Sequence, residues 1–438
     1  MKFSLSTSFA KLALFALITI VLLTIGGRMV ALDGNPSACP SWPLCIPDSY
    51  PAWAQLFHRI TAALSAVTVL VLLFEAWRTQ RDHRLLLPLT ATFVVLFFSQ
   101  VFVGMVQVTK GFPLYLMILH SITSVLVWIS LVALVVISGF YAKDVVAFPP
   151  LNISQRLKDI LTLTKPIIVL LLLVTTFAGM VAGGKAWPSL SLALWTMLGG
   201  AFAAGGSGAI NQYIDRDLDK NMQRTAKRPM AAERMTPAEG LSFGLGLCIA
   251  SFYIMAGYVN LLSAFLSLVG IIYYVLLYSV WLKKVTVHNI VIGGGAGAIP
   301  PLVGWAAATG RLDVPALILF LIVFMWTPPH FWALAIVRRK DYERAGVPML
   351  PVIRGEAETR KQVWIYTLEL VAVTFLLPIL KYTGVVYLIS AIIFGGILLY
   401  FAWRVFKSEG NKSAWTMYRY SSMYLMFLFL ALMADALM

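Results

Sequence analysis

Apolar residues fall in blocks of about twenty along the whole 438-residue chain, separated by short polar stretches. The blocks lie at about 10–31, 53–75, 88–107, 114–138, 166–184, 190–212, 241–258, 261–281, 288–308, 315–337, 363–380, 382–404 and 416–436. A helix needs roughly 20 apolar residues to cross the hydrocarbon core of a bilayer, so the pattern predicts thirteen spans. Two divisions are weak. The run 241–281 turns only at Gly257–Asn260, and the run 363–404 is broken only by Pro378, Lys381 and Gly384. Period-two alternation is missing, which removes a membrane barrel from consideration. Between 139 and 165 the apolar pattern stops and Gly139, Pro149, Pro150, Arg156, Lys158 and Lys165 appear. This predicts a linker at 141–165 with a short interfacial helix at 152–164. The expected architecture is therefore an all-α polytopic membrane protein, a four-helix unit at 1–140 followed by a nine-helix unit at 166–438.

Composition agrees. The chain is 60% hydrophobic and 12% charged, whereas soluble domains carry about one quarter charged residues. Its net charge of +15 invites a nucleic-acid reading, but the Lys and Arg are placed otherwise. Segment 33–51 has none, 76–87 has Arg78, Arg81 and Arg84, 213–240 has six and 338–362 has seven. The intervening turns hold only Lys110, Lys185, Arg311 and Lys381. That alternation is the positive-inside bias, and it sets the N-terminus in the cytoplasm and the C-terminus outside. No nucleic-acid partner is implied. The first apolar run lacks a small-residue cleavage site after it and reads as a span.

Candidate chemistry sits where spans meet the basic side. Asn211–Pro229 places Asp215, Asp217 and Asp219 among Arg216, Lys220, Arg224, Lys227 and Arg228. Asp215 and Asp219 are four apart, so a short helix sets both on one face with Asn211. Asp217 points elsewhere, toward Arg216, Lys220 or a substrate. Mg²⁺ is held by one or two carboxylates plus substrate phosphates, and Arg and Lys suit phosphate oxygens. A second polar segment, Thr327–Pro351, contains His330, Arg338, Arg339, Lys340, Asp341 and Glu343; a third carries Lys283 and Lys284. Together they predict a site near the cytoplasmic face for a diphosphate whose apolar tail lies in the bilayer. In the four-helix unit, His58 and His120 lie at similar depth in spans of the same direction, an arrangement suited to bis-axial haem ligation. Arg59 is placed to meet a haem propionate. Cys39 and Cys45 lie in a loop on the outer side, where a disulfide is permitted; Cys248 lies in an apolar run and His83 in a loop.

Two resemblances follow from these motifs. From about 155 onward, N211-x₃-D215-x₃-D219-x₂-M222-x-R224-T-x₂-R228-P, K283-K-x-T-x₂-N289-I, P-P-H330-F-W-A-L-A-I…D341-Y and A345-G-V-P-M-L-P-V352 resemble the protohaem IX farnesyltransferase (haem O synthase) branch of the intramembrane prenyltransferases. The resemblance implies farnesyl diphosphate and haem B as substrates, with water capturing the alkylated intermediate to give haem O. It implies Asp215, Asp219 and Asp341 as holders of Mg²⁺–diphosphate. Asn211, Arg224, Arg228, Lys283, Lys284, Arg338 and Lys340 would serve the diphosphate, and His330 would contact haem. The N-terminal unit resembles half of a haem A synthase through G26-G27-R28, C39-P-S-W-P-L-C45, H58-R59 and G104-M-V-Q-V-T-K-G111. This implies haem B ligation by His58 and His120, a Cys39–Cys45 disulfide, and oligomerisation or a separate haem A synthase as partner. The family's glutamate three residues before the first histidine is Gln55 here. The favoured expectation is haem B farnesyl transfer in a prokaryotic plasma membrane. The alternatives are a quinone-type prenyltransferase acting on an aromatic acid, a bifunctional haem O/haem A synthase, and a non-catalytic haem-binding or transport module.

Overall fold

The computed structural model describes residues 3–32, 38–39, 45–81, 83, 85–141 and 153–438, with the side chains of Thr109, Tyr141 and Lys284 excepted. Most of the expected linker before the short helix, including Pro149 and Pro150, lies outside the described residues. The described residues contain thirteen helices long and apolar enough to cross a membrane, one for each predicted span, and the protein is a multi-pass membrane protein. Its chain divides into two compact units, Met1–Pro150 with Leu241–Ile249, and Leu151–Gly240 with Ala250–Met438.

The first unit is built on α1 (Ser8–Leu32), α2 (Tyr50–Thr79), α3 (Leu86–Thr109) and α4 (Leu114–Tyr141). Each helix packs against two others, α1 on α2 and α4, α3 on α4 and α2, which closes a four-helix bundle. Phe9, Ile20, Leu72, Phe93, Phe97 and Leu131 fill its core. Some polar groups inside pair across the bundle, which offsets the cost of their burial. Ser8 donates to Glu75 at 2.6 Å, and Trp128 Nε1 donates to Thr24 at 3.1 Å. His83 is a capping residue: its Nδ1 accepts from the backbone of Leu85 and Leu86 as α3 begins. A disulfide joins Cys39 and Cys45, whose Cα atoms are 5.8 Å apart.

In the second unit, α5 (Ile153–Thr164) is the expected short helix, and α6 (Pro166–Gly184) follows it through Lys165. Next come α7 (Leu190–Asp219), α8 (Pro237–Tyr258) and α9 (Leu261–Ile272), the last continuing as a π-helix over Tyr273–Leu282 and a turn, α10 (Lys283–Val285). The rest is α11 (Asn289–Thr309), α12 (Val314–Val337), the short α13 (Arg339–Arg344) and α14 (Leu350–Ile353), α15 (Gly355–Thr374), α16 (Leu376–Ile379), α17 (Val385–Lys407) and α18 (Asn411–Ala436). Starts are signalled locally. Ser189 caps α7, Asn260 caps α9, and Thr236 with Glu239 forms a reciprocal capping box on α8.

Helices α11 and α12 form the centre, α11 packed on α6 and α12 on α15 and α18. The α6–α11 crossing needs two glycines. A Cβ at Gly304 would lie 1.8 Å from the Thr176 carbonyl oxygen, and one at Gly179 would lie 2.3 Å from that of Pro301. Only backbones without side chains approach this closely. The main departure from the sequence pattern is α7, which continues to Asp219 where the apolar block ends near 212.

Candidate active site

Helix α7 delivers the acidic residues. Asn211, Asp215 and Asp219 recur every four residues, so one face of its last two turns carries all three, and all are buried. Asp217, on the other face, is exposed and lies 3.9 Å from Arg216. The two buried carboxylates have different partners. Asp215 Oδ2 accepts from Lys283 Nζ at 2.5 Å and from Asn211 Nδ2 at 2.8 Å. Asp219 Oδ2 accepts from Arg228 Nη1 at 2.7 Å. Asp215 Oδ1 is buried with no hydrogen-bond partner. An anionic oxygen left this way costs free energy unless a cation or donor arrives.

The π-helix explains how Lys283 reaches the site. Its i→i+5 bonding widens the turn, so residues four to five apart superpose on one face. Tyr274, Tyr278 with Ser279, and Lys283 follow that spacing. Ser279 Oγ donates to the Tyr274 carbonyl oxygen at 2.8 Å and accepts from Asn211 Nδ2 at 2.9 Å, fixing the segment to α7. Lys165 comes from the other side, at the α5–α6 junction, with a backbone φ of 55°. Its Nζ donates to Asn211 Oδ1 at 2.6 Å and to Tyr274 Oη at 3.3 Å. Burial pushes the Lys165 ammonium down to about 7; Arg228 and Lys283 add to the effect, and Asp215 and Asp219 oppose it.

Segment 220–236 carries Arg224 and Arg228 over the end of α7. It is held by α5, where Arg234 grips the buried Asp159 through contacts of 2.9, 3.1 and 3.3 Å. Arg156 bonds the Arg234 carbonyl oxygen and forms an ion pair with Glu239. The second predicted segment meets the first. Met222 packs with Tyr342, Val347 and Met349, and Arg224 acts electrostatically on the Tyr342 hydroxyl. Burial pushes the Tyr342 phenol up, and Arg224 opposes it.

The remaining expected residues are placed as follows. Asp341 is buried at the start of α13, 4.0 Å from Arg338 and 3.9 Å from Arg344. Among the described residues no three His, Cys, Asp or Glu side chains are close enough to hold one metal ion, so Asp341 does not join Asp215 and Asp219 in a single cluster. Arg338 Nε is buried without a partner, Lys340 is exposed, and the side chain of Lys284 is outside the described residues. His330 is buried on α12, its Nδ1 2.6 Å from Ser421 Oγ, stacked on Trp326 and beside Tyr418. Sequence reasoning passed over Lys165, Tyr274, Ser279 and the clamp residues Asp159 and Arg234. It quoted Asn289 only as part of a motif, yet both amide atoms of Asn289 are buried without partners at the start of α11.

In the four-helix unit, each histidine lies against a glycine of another helix. A Cβ at Gly27 would lie 3.1 Å from His58 Cε1, and one at Gly104 would lie 3.0 Å from His120 Cε1. The two helix pairs α1–α2 and α3–α4 therefore repeat one device. His58 Nδ1 donates to the Leu23 carbonyl oxygen at 3.0 Å, which leaves Nε2 as the free lone pair. His120 Nδ1 is buried without a partner. Arg59 bonds the Cys39 carbonyl oxygen at 2.7 Å.

Comparison with known proteins fits this geometry. Residues 172–431 match the model of the UbiA prenyltransferase family, and residues 1–132 match that of the Cytochrome oxidase assembly protein family COX15-CtaA. A protoheme IX farnesyltransferase from Roseiflexus castenholzii is 41% identical over 450 aligned residues, covering 98% of this chain and 84% of the relative. One from Symbiobacterium thermophilum is 48% identical over 287 residues, 65% of this chain and 96% of the relative. A solved digeranylgeranylglyceryl phosphate synthase shares the fold at a TM-score of 0.56, with 19% identity, over 65% of this chain and 99% of its own. With a family match across more than half of its length and a relative aligned almost end to end, the chain belongs to the UbiA prenyltransferase family and is a prenyl-transferring membrane enzyme.

Proposed function

We propose that the chain transfers the farnesyl group of farnesyl diphosphate to the vinyl group of haem B, with water adding to the alkylated intermediate and losing a proton, and releases haem O and diphosphate. The observation that carries this is the 41% identity over 98% of the chain with an enzyme named for that activity. The division of labour we infer is a nine-helix farnesyltransferase at 166–438, a linker at 141–165 and an accessory four-helix unit at 1–140. The basic segments 76–87, 213–240 and 338–362 favour a cytoplasmic N-terminus in a prokaryotic plasma membrane, with transfer near the cytoplasmic face.

The residues present suit Mg²⁺. The unpartnered Oδ1 of buried Asp215 is an oxygen ligand waiting for a cation, and Asp219 stands one turn away. Asp215 and Asp219 would hold the ion, while Asp341, apart from that pair, would orient Arg338 and Arg344 toward the diphosphate. When bound, Mg²⁺ neutralises charge on the departing diphosphate. Arg228 and Lys283, each now on a carboxylate, would move onto phosphate oxygens, joined by Lys165, Arg224, Arg338, Lys340 and Lys284. Asn211 keeps Asp215 and Lys165 in register. The stacked rings of Tyr274 and Tyr278, beside Lys165, would shield the allylic cation from early capture by water. His330 sits in an aromatic cluster on α12, and we assign it to the wall of the haem pocket.

We further propose that His58 and His120 ligate a b-type haem in the four-helix unit. Support comes from the Leu23 bond that fixes the His58 tautomer and from the glycines beneath both rings. With Gln55 where the family carries glutamate, this unit would bind or hand over haem, itself or as an oligomer, with oxidation left to a separate haem A synthase. The test is mass analysis of haems formed by purified protein given haem B, farnesyl diphosphate and Mg²⁺, with an electron donor and oxygen in a parallel reaction. Haem O in both is expected. Haem A in the parallel reaction would make the four-helix unit an oxidase. Transfer to 4-hydroxybenzoate and not to haem B would overturn the proposal.

A further inference from the structure

At the end of the second unit opposite Asp215 and Asp219 lies a cavity of about 740 Å³. Helix α6 spans the interval: Lys165 precedes it at the active site and Lys185 follows it at this cavity, so 19 residues, about 28 Å of helix, separate the two. The volume falls within the range of small-molecule sites. Its walls are apolar, with Trp305, Leu319, Leu377 and Leu432 among them.

The rim gathers three basic residues, set with Asp313 and Asp435, in a place where basic residues are otherwise excluded. Four turns join helices at this end, at 185–189, 259–260, 310–313 and 380–384, and they contain three Lys or Arg in all: Lys185, Arg311 and Lys381. All three line this one cavity. Chance placement across separate turns would scatter them. Arg311 is neutralised by Asp313, which also accepts from Trp305 Nε1 at 3.2 Å. Asp435 accepts from Gly384 N at 2.6 Å and Tyr387 N at 3.0 Å, which holds it in place with its charge kept. Among the described residues, Lys185 and Lys381 meet no carboxylate within ion-pair distance. Both hold left-handed backbone, φ 48° and 60°, a conformation that costs a non-glycine residue free energy and marks a constrained position. Thr383 also lines the cavity, and its Oγ1 is buried with no hydrogen-bond partner.

From two unpaired ammonium groups, an orphan hydroxyl and an apolar floor at one end of a membrane bundle, we infer that this cavity binds an anionic amphiphile. Its acidic headgroup lies between Lys185, Lys381 and Thr383, and its apolar body lies against Leu377 and Leu432. Two sources carry that chemistry: an acidic phospholipid of the surrounding bilayer, and a tetrapyrrole with carboxylate side chains.

The test is native mass spectrometry of the full chain, delipidated and then given phosphatidylglycerol, phosphatidylcholine or haem B. Lys185→Asn with Lys381→Asn removes both charges while keeping a residue that tolerates the left-handed backbone. Thr383→Val is a second, milder variant. Phosphatidylglycerol should be retained at least five-fold more than phosphatidylcholine by the wild-type chain, and the preference should vanish in the double variant and weaken in Thr383→Val. Displacement of the phospholipid by haem B, again lost in the double variant, would assign the same headgroup site to the tetrapyrrole; no displacement assigns it to the bilayer lipid. Equal retention of both phospholipids, or a preference unchanged in folded variants, overturns the inference.

Discussion

Lys165 offers a perturbation whose two effects have different signs. Its ammonium is buried beside Arg228 and Lys283, bonded only to neutral oxygens of Asn211 and Tyr274, and held down to about 7. Replacement by methionine removes two hydrogen bonds from an ammonium to neutral oxygens, about 1.5 kcal/mol each, but also removes a poorly solvated cation beside two others, whose burial cost is of similar size. These terms oppose, so thermal stability should change by no more than about 1 kcal/mol. Ligand binding has no such offset. A hydrogen bond between a charged donor and a phosphate contributes about 1.5–3 kcal/mol, which is roughly 10- to 150-fold in affinity. The assay is calorimetric binding of an unreactive farnesyl diphosphate analogue with Mg²⁺, alongside melting of wild-type and Lys165→Met protein. A pH arm sharpens it. The diphosphate raises a pKa that is depressed in the free site, so binding takes up a proton above about pH 7 and wild-type affinity should fall as pH rises beyond that point. Lys165→Met should lack this dependence. Unchanged affinity with a melting loss of several degrees would refute the reasoning and make Lys165 a purely structural residue.

Three further outcomes are expected. Asp159→Asn should loosen segment 220–236; because Arg234 is partly exposed the clamp contributes about 1 kcal/mol, so steady-state kinetics should show a several-fold rise in KM for the prenyl diphosphate with kcat within about two-fold. Asp215→Asn preserves shape but strips the charge opposite Lys283, and product haem measured by mass should fall about 10²- to 10³-fold with the helical circular dichroism spectrum unchanged. Gly304→Ala forces a methyl against the Thr176 carbonyl oxygen and should cost about 1–3 kcal/mol or more, read as a lowered melting temperature, while Gly297→Ala, with open space around its Cβ, should cost less than about 1 kcal/mol.

The thirteen spans were legible because apolar length is a one-dimensional signal: each bilayer crossing must satisfy its own backbone within one helix, whatever it packs against. The amphipathic α5 and the capped starts of α7, α8 and α9 are local in the same sense. That the helical turns of Asn211–Asp219 continue the span as one helix, α7, was not. Hydropathy stops counting at the first polar residues, yet Asn211, Asp215 and Asp219 stay helical because their shared face is buried against Ser279, Lys283 and Arg228. The π-helix at Tyr273–Leu282 was equally hidden. Its sequence is ordinary for a span, and the register shift is stabilised by Ser279, whose bonds to Tyr274 and Asn211 exist only once the chain is folded.

The same distinction runs through the site. The four-residue spacing of Asp215 and Asp219 is enough to predict two carboxylates on one face, and the surrounding excess of Lys and Arg is enough to predict an anion. Which cation meets which carboxylate is not in the spacing. Lys283 reaches Asp215 across 68 positions, and Lys165 reaches Asn211 across 46, whereas the nearer Arg216 and Lys220 turn to Tyr213 and Glu233. The choice is made by burial. Exposed cations gain little from a carboxylate in water, while Lys283 and Arg228, carried inward by the π-helix and the clamped segment, meet carboxylates that have lost their own hydration. Asp215 and Asp219 then each depend on one cationic partner, Lys283 and Arg228, and a polyanion entering with its own divalent cation exchanges those partners without leaving either sign uncompensated. A site arranged this way can admit a diphosphate into a bilayer-spanning protein, because desolvation of the charged side chains has already been met in folding.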